Sequence, residues 1–184
     1  MSLFYGNGMN FENMCRLRYS NMDHANNEII FKRKKTLNRR RPQNIYVSLL
    51  PPLQIIINRI WNKELTGYIF PFLNGVNPVD SNELKIKRAI SLRLSTINDT
   101  LKRIAGILKV DPGLSTSHAR NSYISYLASE LYINDTMIKH MVGHSSRDVT
   151  AGYNTPKPSN RLDINKRLLD LDRKYAVIGA VKVV

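Results

Sequence analysis

A single long amphipathic segment constrains the architecture of this chain most strongly. Between Ser81 and Leu108, apolar residues recur at every third or fourth position, which is the repeat of one face of an α-helix. The apolar face consists of Ile86, Ile90, Leu94, Ile97, Leu101, Ile104 and Ala105. A helix of this length with one apolar face has to pack against other elements, so the pattern predicts a mainly helical domain.

Shorter helical patterns lie on both sides of this segment. Proline is tolerated in a first helical turn, and Ser, Thr and Gly are typical of helix ends, so these residue types set the predicted boundaries. Helices are predicted over residues 11–17, from 51 to 60, from the cap candidates at 115–117 to 131, over 135–141 with a stop at Gly143, and over 161–175. A further short helix is expected to hold Tyr153.

One hairpin is the only sheet that the sequence predicts. Glu28–Lys32 is typical of a strand, and the following basic residues 33–36 are expected to stay extended. A basic turn at 39–42 then leads into a second strand at Gln43–Val47. We therefore expect a mainly α fold with a small antiparallel β-sheet (α+β). A chain of 184 residues fits one domain, residues 1–184.

The charge balance indicates a polyanionic partner. Lys and Arg number 28 against 14 Asp and Glu, which gives a net charge of +14. Nucleic acid is the first candidate, an anionic membrane surface the second, and simple solubility the third. No apolar run approaches the roughly 20 residues of a membrane span. Cys15 is the only cysteine, so no disulfide can form within the chain, and a reducing cytoplasm is expected. Cys15 itself is expected to be a packed side chain rather than a nucleophile.

Four short segments carry the chemistry. They are Gly8-Met9-Asn10-Phe11, Arg33-Lys34-Lys35-Thr36, Ala119-Arg120-Asn121-Ser122, and Gly143-His144-Ser145 with Tyr153 nine residues after His144. In this order, and over nearly the whole chain, they resemble the motifs of the tyrosine recombinase (phage integrase) family. The resemblance implies the DNA breaking–rejoining catalytic fold, and an enzyme for site-specific recombination and integration of a bacterial mobile element.

The resemblance also implies a role for each residue. Tyr153 would attack a DNA phosphodiester and form a 3′-phosphotyrosyl link. Arg120 would stabilise the negative charge of the transition state, and His144 would donate a hydrogen bond to the phosphate. Lys35, with Lys34 as the alternative, would protonate the leaving 5′-hydroxyl. The scheme requires no cofactor and no metal.

Partners follow from the same resemblance. The substrate would be double-stranded DNA, and the full-length protein would act as a tetramer on paired sites in the bacterial cytoplasm, associated with the nucleoid. The chain would lack an N-terminal DNA-binding domain, and the apolar tail 176–184 would dock on a neighbouring protomer or pack on its own domain. Contacts to the DNA are expected from Arg33, Lys34, Arg39, Arg40, Arg41 and His118.

The chain departs from the family pattern at two positions. Asn10 stands where the family has its first catalytic arginine, and an amide brings no charge to the phosphate; Arg16 and Arg18 are candidate substitutes. Ser117 stands three residues before Arg120, where a histidine is usual, and His118 is one place late. A helix turns about 100° per residue, so Ser117 is favoured for the site over His118.

Each assignment has a simpler alternative. Tyr153 could be a core residue, His144 a cation at a helix C-terminus, and Arg120 a member of a surface ion pair. At the level of function, the alternatives are a DNA-binding relative that has lost catalysis and an enzyme resembling type IB topoisomerases. A covalent adduct on nicked DNA separates these possibilities.

Overall fold

The computed structural model describes residues 1–38, 42–60, 67–76, 82–144 and 156–171. The helices that position the site are α1 Ser2–Tyr5, α2 Phe11–Arg16, α3 Pro51–Ile60, α4 Glu83–Leu108, α5 Thr116–Ser129, α6 Asp135–Val142 and α7 Pro158–Lys166. The strands are β1 Met22–Asp23, β2 Glu28–Lys32 and β3 Asn44–Ser48. The fold is mainly helical with one three-stranded antiparallel sheet, which confirms the α+β prediction.

The sheet contains the predicted hairpin and one extra strand. β2 pairs with β3 from Glu28 opposite Ser48 to Lys32 opposite Asn44. β1 covers the other edge of β2, and its length of two residues explains why its sequence gave no strand pattern. The three strands lie in the order β1-β2-β3.

The prediction that residues 33–36 stay extended holds for Arg33 and is wrong for residues 34–36. Lys34–Thr36 forms a 3-10 turn, in which the amide of Thr36 donates to the carbonyl of Arg33 at 3.0 Å. The ladder between β2 and β3 ends with Lys32 opposite Asn44. Beyond that point the backbone has no strand partner within the described residues, so it forms local hydrogen bonds instead. Arg39, Arg40 and Arg41 of the predicted turn lie outside the described residues.

The helix predictions hold for α2 to α6, with one correction at α7. α7 begins at Pro158, three residues before the predicted start, because proline at the first helical position fits the helix without needing its missing N–H. It ends at Lys166, a turn follows at 167–168, and residues 169–171 are helical again, so the predicted helix is interrupted; its predicted end near residue 175 lies outside the described residues. Residues 172–184, which include the predicted tail 176–184, lie outside the described part of the chain.

The core lies between the sheet and helices α1, α3, α5 and α6. Its fully buried side chains include Tyr5, Val47, Tyr123, Leu127 and Met141. The predicted apolar face of α4 is only partly covered. Of its seven residues, Ile86, Ile90 and Ala105 are buried, whereas Ile104 is 40% exposed. No helix in the described ranges is both long enough and apolar enough to cross a membrane.

Cys15 lies in this core on α2. It is fully buried, and burial raises the pKa of its thiol to about 12. A thiol with so high a pKa stays protonated and is a poor nucleophile. The prediction of a packed cysteine is therefore confirmed.

A buried ion pair fastens α7 to the sheet. Arg161 and Glu28 are 4% and 3% exposed, and the Arg161 Nη2 lies 2.7 Å from Glu28 Oε2. A second nitrogen, Nε, donates to Glu28 Oε1 at 3.2 Å, so the pairing is a two-point fork. The guanidinium also lies over the ring of Tyr46, 4.1 Å from its centroid, and donates to the carbonyl of Pro156. Arg161 thus joins α7 and the carbonyl of Pro156 to strand β2.

Replacing Arg161 with methionine is expected to lower the free energy of unfolding by about 3–5 kcal/mol, because the Glu28 carboxylate is left buried without its cation. Urea denaturation measures this change. The double variant Arg161→Met with Glu28→Leu removes both charges and should recover most of the loss. A single variant as stable as the wild type would contradict the interpretation of this pair.

Candidate active site

The site is organised around the C-terminal end of α6. Gly143 ends the helix in a left-handed conformation with φ 66°, as the sequence predicted. The amide of His144 donates back to the carbonyl of Lys139 at 2.8 Å, so His144 follows the helix directly and its side chain is exposed. The last carbonyls of α6 are negative helix-dipole groups, and they attract cations.

Gly143 also makes room for its neighbours. A Cβ atom at this position would lie 2.4 Å from Ile45 Cδ1 and 3.1 Å from the side-chain Cδ of Arg33. Such distances are too short for ordinary packing against β3. Glycine is therefore needed both for the backbone conformation and for the close approach of Arg33 to the end of α6.

Arg120 joins three parts of the chain. From α5 its Nη2 donates to the carbonyl of Val142 at 2.8 Å, and its Nη1 donates to the carbonyl of Gly8 at 2.9 Å. Gly8 has φ 60°, and a Cβ there would lie 3.1 Å from Arg120 Cα, so a glycine is again required for the approach. Arg120 is half-buried and forms no ion pair with any carboxylate in the described ranges.

Arg33 reaches the same place from the end of β2. Its Nη1 donates to the carbonyl of Gly143 at 2.9 Å. Arg33 and Arg120 therefore bind two consecutive carbonyls, those of Gly143 and Val142, immediately before His144. Three groups from three different elements converge at one end of α6.

The electrostatics reflect this convergence. Burial, followed by the positive charge of Arg33, lowers the pKa of Arg120 to about 10. Burial also lowers the pKa of His144, and the charges of Arg120 and Arg33 lower it further; Asp135 opposes this effect and Lys139 adds to it. Two guanidinium groups held together repel each other, and an anion placed between them relieves that repulsion. The arrangement favours an anionic ligand.

The predicted residues on the hairpin separate into two environments. Lys34 points toward α4, where its Nζ lies 3.2 Å from Glu83 Oε2, and its backbone amide donates to Asn13. Lys35 is exposed and forms no ion pair with the described residues. Of the two lysines considered as general acid, Lys35 is thus the one not engaged by a carboxylate.

Asn10 serves as the N-cap of α2. Its side-chain oxygen accepts from the amide of Asn13 at 2.9 Å. The two arginines named as substitutes for the missing cation are also engaged. Arg16 forms a two-point pair with Glu83 at 2.8 and 3.2 Å, and Arg18 lies over the ring of Tyr68 with its carbon Cζ 5.6 Å from the centroid.

The first turn of α5 is occupied by capping contacts. Ser115 is the N-cap, and its hydroxyl lies 2.8 Å from that of Ser117 and 3.1 Å from His118 Nδ1. The His118 Nε2 lies 3.8 Å from the Asp111 carboxylate. Ser117 is exposed on the same side of the helix as Arg120, three residues later. His118 therefore points to the cap and not to Arg120.

Two parts of the predicted site lie outside the described residues: Tyr153, within 145–155, and the arginines at 39–41. Arg33 was predicted from the sequence only as a general DNA contact, and its place beside Arg120 was missed. One signal could have found it. Side chains alternate along a strand, so the buried Ile29 and Phe31 of β2 put Arg33 on the inward face.

No protein-family model matches this chain, and no curated protein matches its sequence. The site is therefore defined by its geometry alone. Arg33, Arg120 and His144 meet at the end of α6, and Arg120 also binds the carbonyl of Gly8.

Proposed function

We propose that this chain is the catalytic domain of a tyrosine recombinase, with the recombinase catalytic fold, which cleaves and rejoins double-stranded DNA through a 3′-phosphotyrosyl link to Tyr153. One observation carries the proposal. Arg120 and His144 come from separate motifs, 24 residues apart, and they lie at the same end of α6, where the guanidinium of Arg33 is also bound.

The chemistry is a phosphoryl transfer in which one phosphate ester bond replaces another. The phenol of Tyr153 gives its proton to water as its oxygen forms a bond to phosphorus, the bond to the 5′-oxygen breaks, and Lys35 supplies the proton that the leaving 5′-oxygen requires to become a hydroxyl. Partial burial and the neighbouring cations lower the pKa of His144, which favours the neutral imidazole in the free protein, and a ring N–H can donate to the phosphate. The reverse attack by a 5′-hydroxyl rejoins the strand and releases Tyr153.

Charge stabilisation is the role of Arg120. The pentacoordinate transition state concentrates negative charge on the non-bridging oxygens, and a fixed guanidinium stabilises that charge without reorganising. Arg120 is held by carbonyls on both sides, and two of its five N–H groups are used for that purpose. The remaining N–H groups are directed by this anchoring and can donate to the phosphate.

A DNA-binding relative without catalysis is the second candidate. The observation in its favour is Asn10, whose oxygen caps α2 at the position of the family's first arginine, so no cation stands there. Both candidates predict DNA binding by a chain of net charge +14, and only the recombinase predicts a covalent product.

The test is covalent capture on nicked DNA. A pool of duplexes of random sequence, each nicked near its centre, lets the short 5′-hydroxyl fragment diffuse away after cleavage, so the protein stays attached. We expect a DNA adduct that survives denaturation by SDS, and mass spectrometry of the digest should find the nucleotide on the peptide that contains Tyr153. DNA binding by the full-length protein without any adduct, or an adduct on another residue, would overturn the proposal.

A further inference from the structure

We infer that Arg33 contacts the scissile phosphate and supplies the second guanidinium of the site, the cation that is missing at Asn10. This inference rests on the proposed function, since it concerns the phosphate that Tyr153 attacks. From the sequence alone, Arg33 was expected to contact only the DNA backbone in general.

The first support is that Asn10 and the nearby cations Arg16 and Lys34 already have other partners. The oxygen of Asn10 caps α2, and Arg16 is held by both oxygens of Glu83. Lys34 binds the same carboxylate, and these two cations hold the pKa of Glu83 below its ordinary value although burial opposes them. Arg16 and Lys34 therefore face α4, whereas Arg33 contacts the end of α6 through Gly143.

The second support is the position of Arg33. Its Nη1 binds the carbonyl of Gly143 while the Arg120 Nη2 binds the preceding carbonyl, that of Val142. Coulomb effects fall with distance, and the charge of Arg33 acts on both Arg120 and His144. Both proposed phosphate ligands thus have the Arg33 guanidinium as a close neighbour.

The third support is that the fold makes space for this side chain. Arg33 follows Ile29 and Phe31 on the inward face of β2, and the missing Cβ of Gly143 lets the stem of Arg33 pass. A basic residue that only needed to contact the DNA backbone would require neither feature. A phosphorane has two charged non-bridging oxygens, and two adjacent guanidiniums can each stabilise one.

The competing role is purely structural: Arg33 would fasten the hairpin to α6 through Gly143 and never touch the phosphate. Arg33→Met keeps most of the aliphatic stem and removes the charge, and Arg33→Lys keeps the charge without the planar fork. Lys32→Met is the matched control, since it removes one positive charge from the adjacent, exposed position.

The first experiment uses inorganic phosphate as the probe and His144 as the reporter. The imidazole is followed by NMR across pH, with and without phosphate. We expect phosphate to raise the pKa of His144 in the wild type, and Arg33→Met to weaken phosphate binding roughly 10–100-fold, the range for one charged hydrogen bond. In the free protein, Arg33→Met should also raise the pKa of His144, because one repelling cation is gone. Lys32→Met should change neither quantity.

The second experiment replaces one non-bridging oxygen of the scissile phosphate by methyl, which removes its negative charge. On the natural phosphate, we expect Arg33→Met to slow adduct formation by about 10²-fold. On one of the two methylphosphonate isomers, the variant and the wild type should react at rates within about threefold of each other, because the charge that Arg33 stabilises is absent. A structural anchor would slow the reaction equally on both substrates.

The outcomes separate the two proposals. Absence of any wild-type adduct overturns the proposed function, and the phosphate titration then decides by itself whether Arg33 is an anion ligand. A wild-type adduct together with an Arg33→Met variant that keeps its rate, or that loses the same factor on phosphate and on both methylphosphonate isomers, overturns the role of Arg33 alone. Unchanged phosphate binding in Arg33→Met overturns it as well.

Discussion

Replacing Tyr153 with phenylalanine is expected to remove the covalent DNA adduct altogether. The substitution deletes one oxygen atom, and that oxygen is the group that would bond to phosphorus. Loss of the nucleophile from other enzymes with covalent intermediates lowers the rate by about 10⁶-fold, which places the variant below detection in a gel assay. Denaturing electrophoresis of labelled nicked DNA measures the adduct, and a filter-binding assay should show that affinity for DNA is retained.

Tyr132→Phe is the matched control for this experiment. Tyr132 is 86% exposed at the end of α5, so its hydroxyl can be removed with little effect on the fold. This variant should form the adduct at the wild-type rate. An adduct that persists in Tyr153→Phe would show that another residue is the nucleophile.

Replacing Arg120 with alanine is expected to lower the rate of adduct formation by about 10²–10³-fold at saturating DNA, the usual effect of losing one preorganised donor at a developing charge. Arg120→Lys should recover only a small part of the rate, since an ammonium cannot reproduce the guanidinium fork. Single-turnover kinetics on the nicked substrate measure both variants. Arg103→Ala, which removes the same charge from an exposed position on α4, should leave the rate unchanged.

Arg120 also has a structural task, and the two effects need to be measured separately. Its loss leaves the carbonyls of Gly8 and Val142 without their donor, so the free energy of unfolding should fall by about 1–3 kcal/mol as well. The rate is therefore compared at a temperature where both proteins are fully folded. If Arg120→Ala lost stability but kept its rate of adduct formation, Arg120 would be an anchor and not a phosphate ligand.

Much of the secondary structure was predictable because local chemistry decides it. The N-cap of α5 was predicted among residues 115–117 and is Ser115, and Gly143 ends α6 as predicted, since an N-cap residue and a left-handed glycine act within one helical turn. The hairpin was predictable from two short runs of β-branched and aromatic residues joined by a basic turn. These features depend on neighbours four or fewer residues away, or on a strand directly across.

Features that depend on distant partners were not predictable. Residues 34–36 form a turn because the pairing of β2 with β3 ends at Asn44. The sequence of residues 34–36 does not show how long the partner strand is. The fork between Arg161 and Glu28 joins positions 133 residues apart, and neither residue type indicates burial by itself. The face of α4 was predicted in full, yet only part of it is covered by the core.

The sequence by itself determined the order of the four motifs, the helix that ends at Gly143, and the candidates Arg120, His144 and Tyr153. Only the tertiary structure decided which cation lies beside Arg120. Arg16 and Arg18 were the sequence-based candidates for the cation missing at Asn10, but Arg16 is paired with Glu83, and Arg18 lies over Tyr68. Arg33 occupies that place because β2, α5 and α6 meet where two glycines, Gly8 and Gly143, allow close approach. This packing joins residues that are far apart in the chain, so no local sequence pattern predicts it.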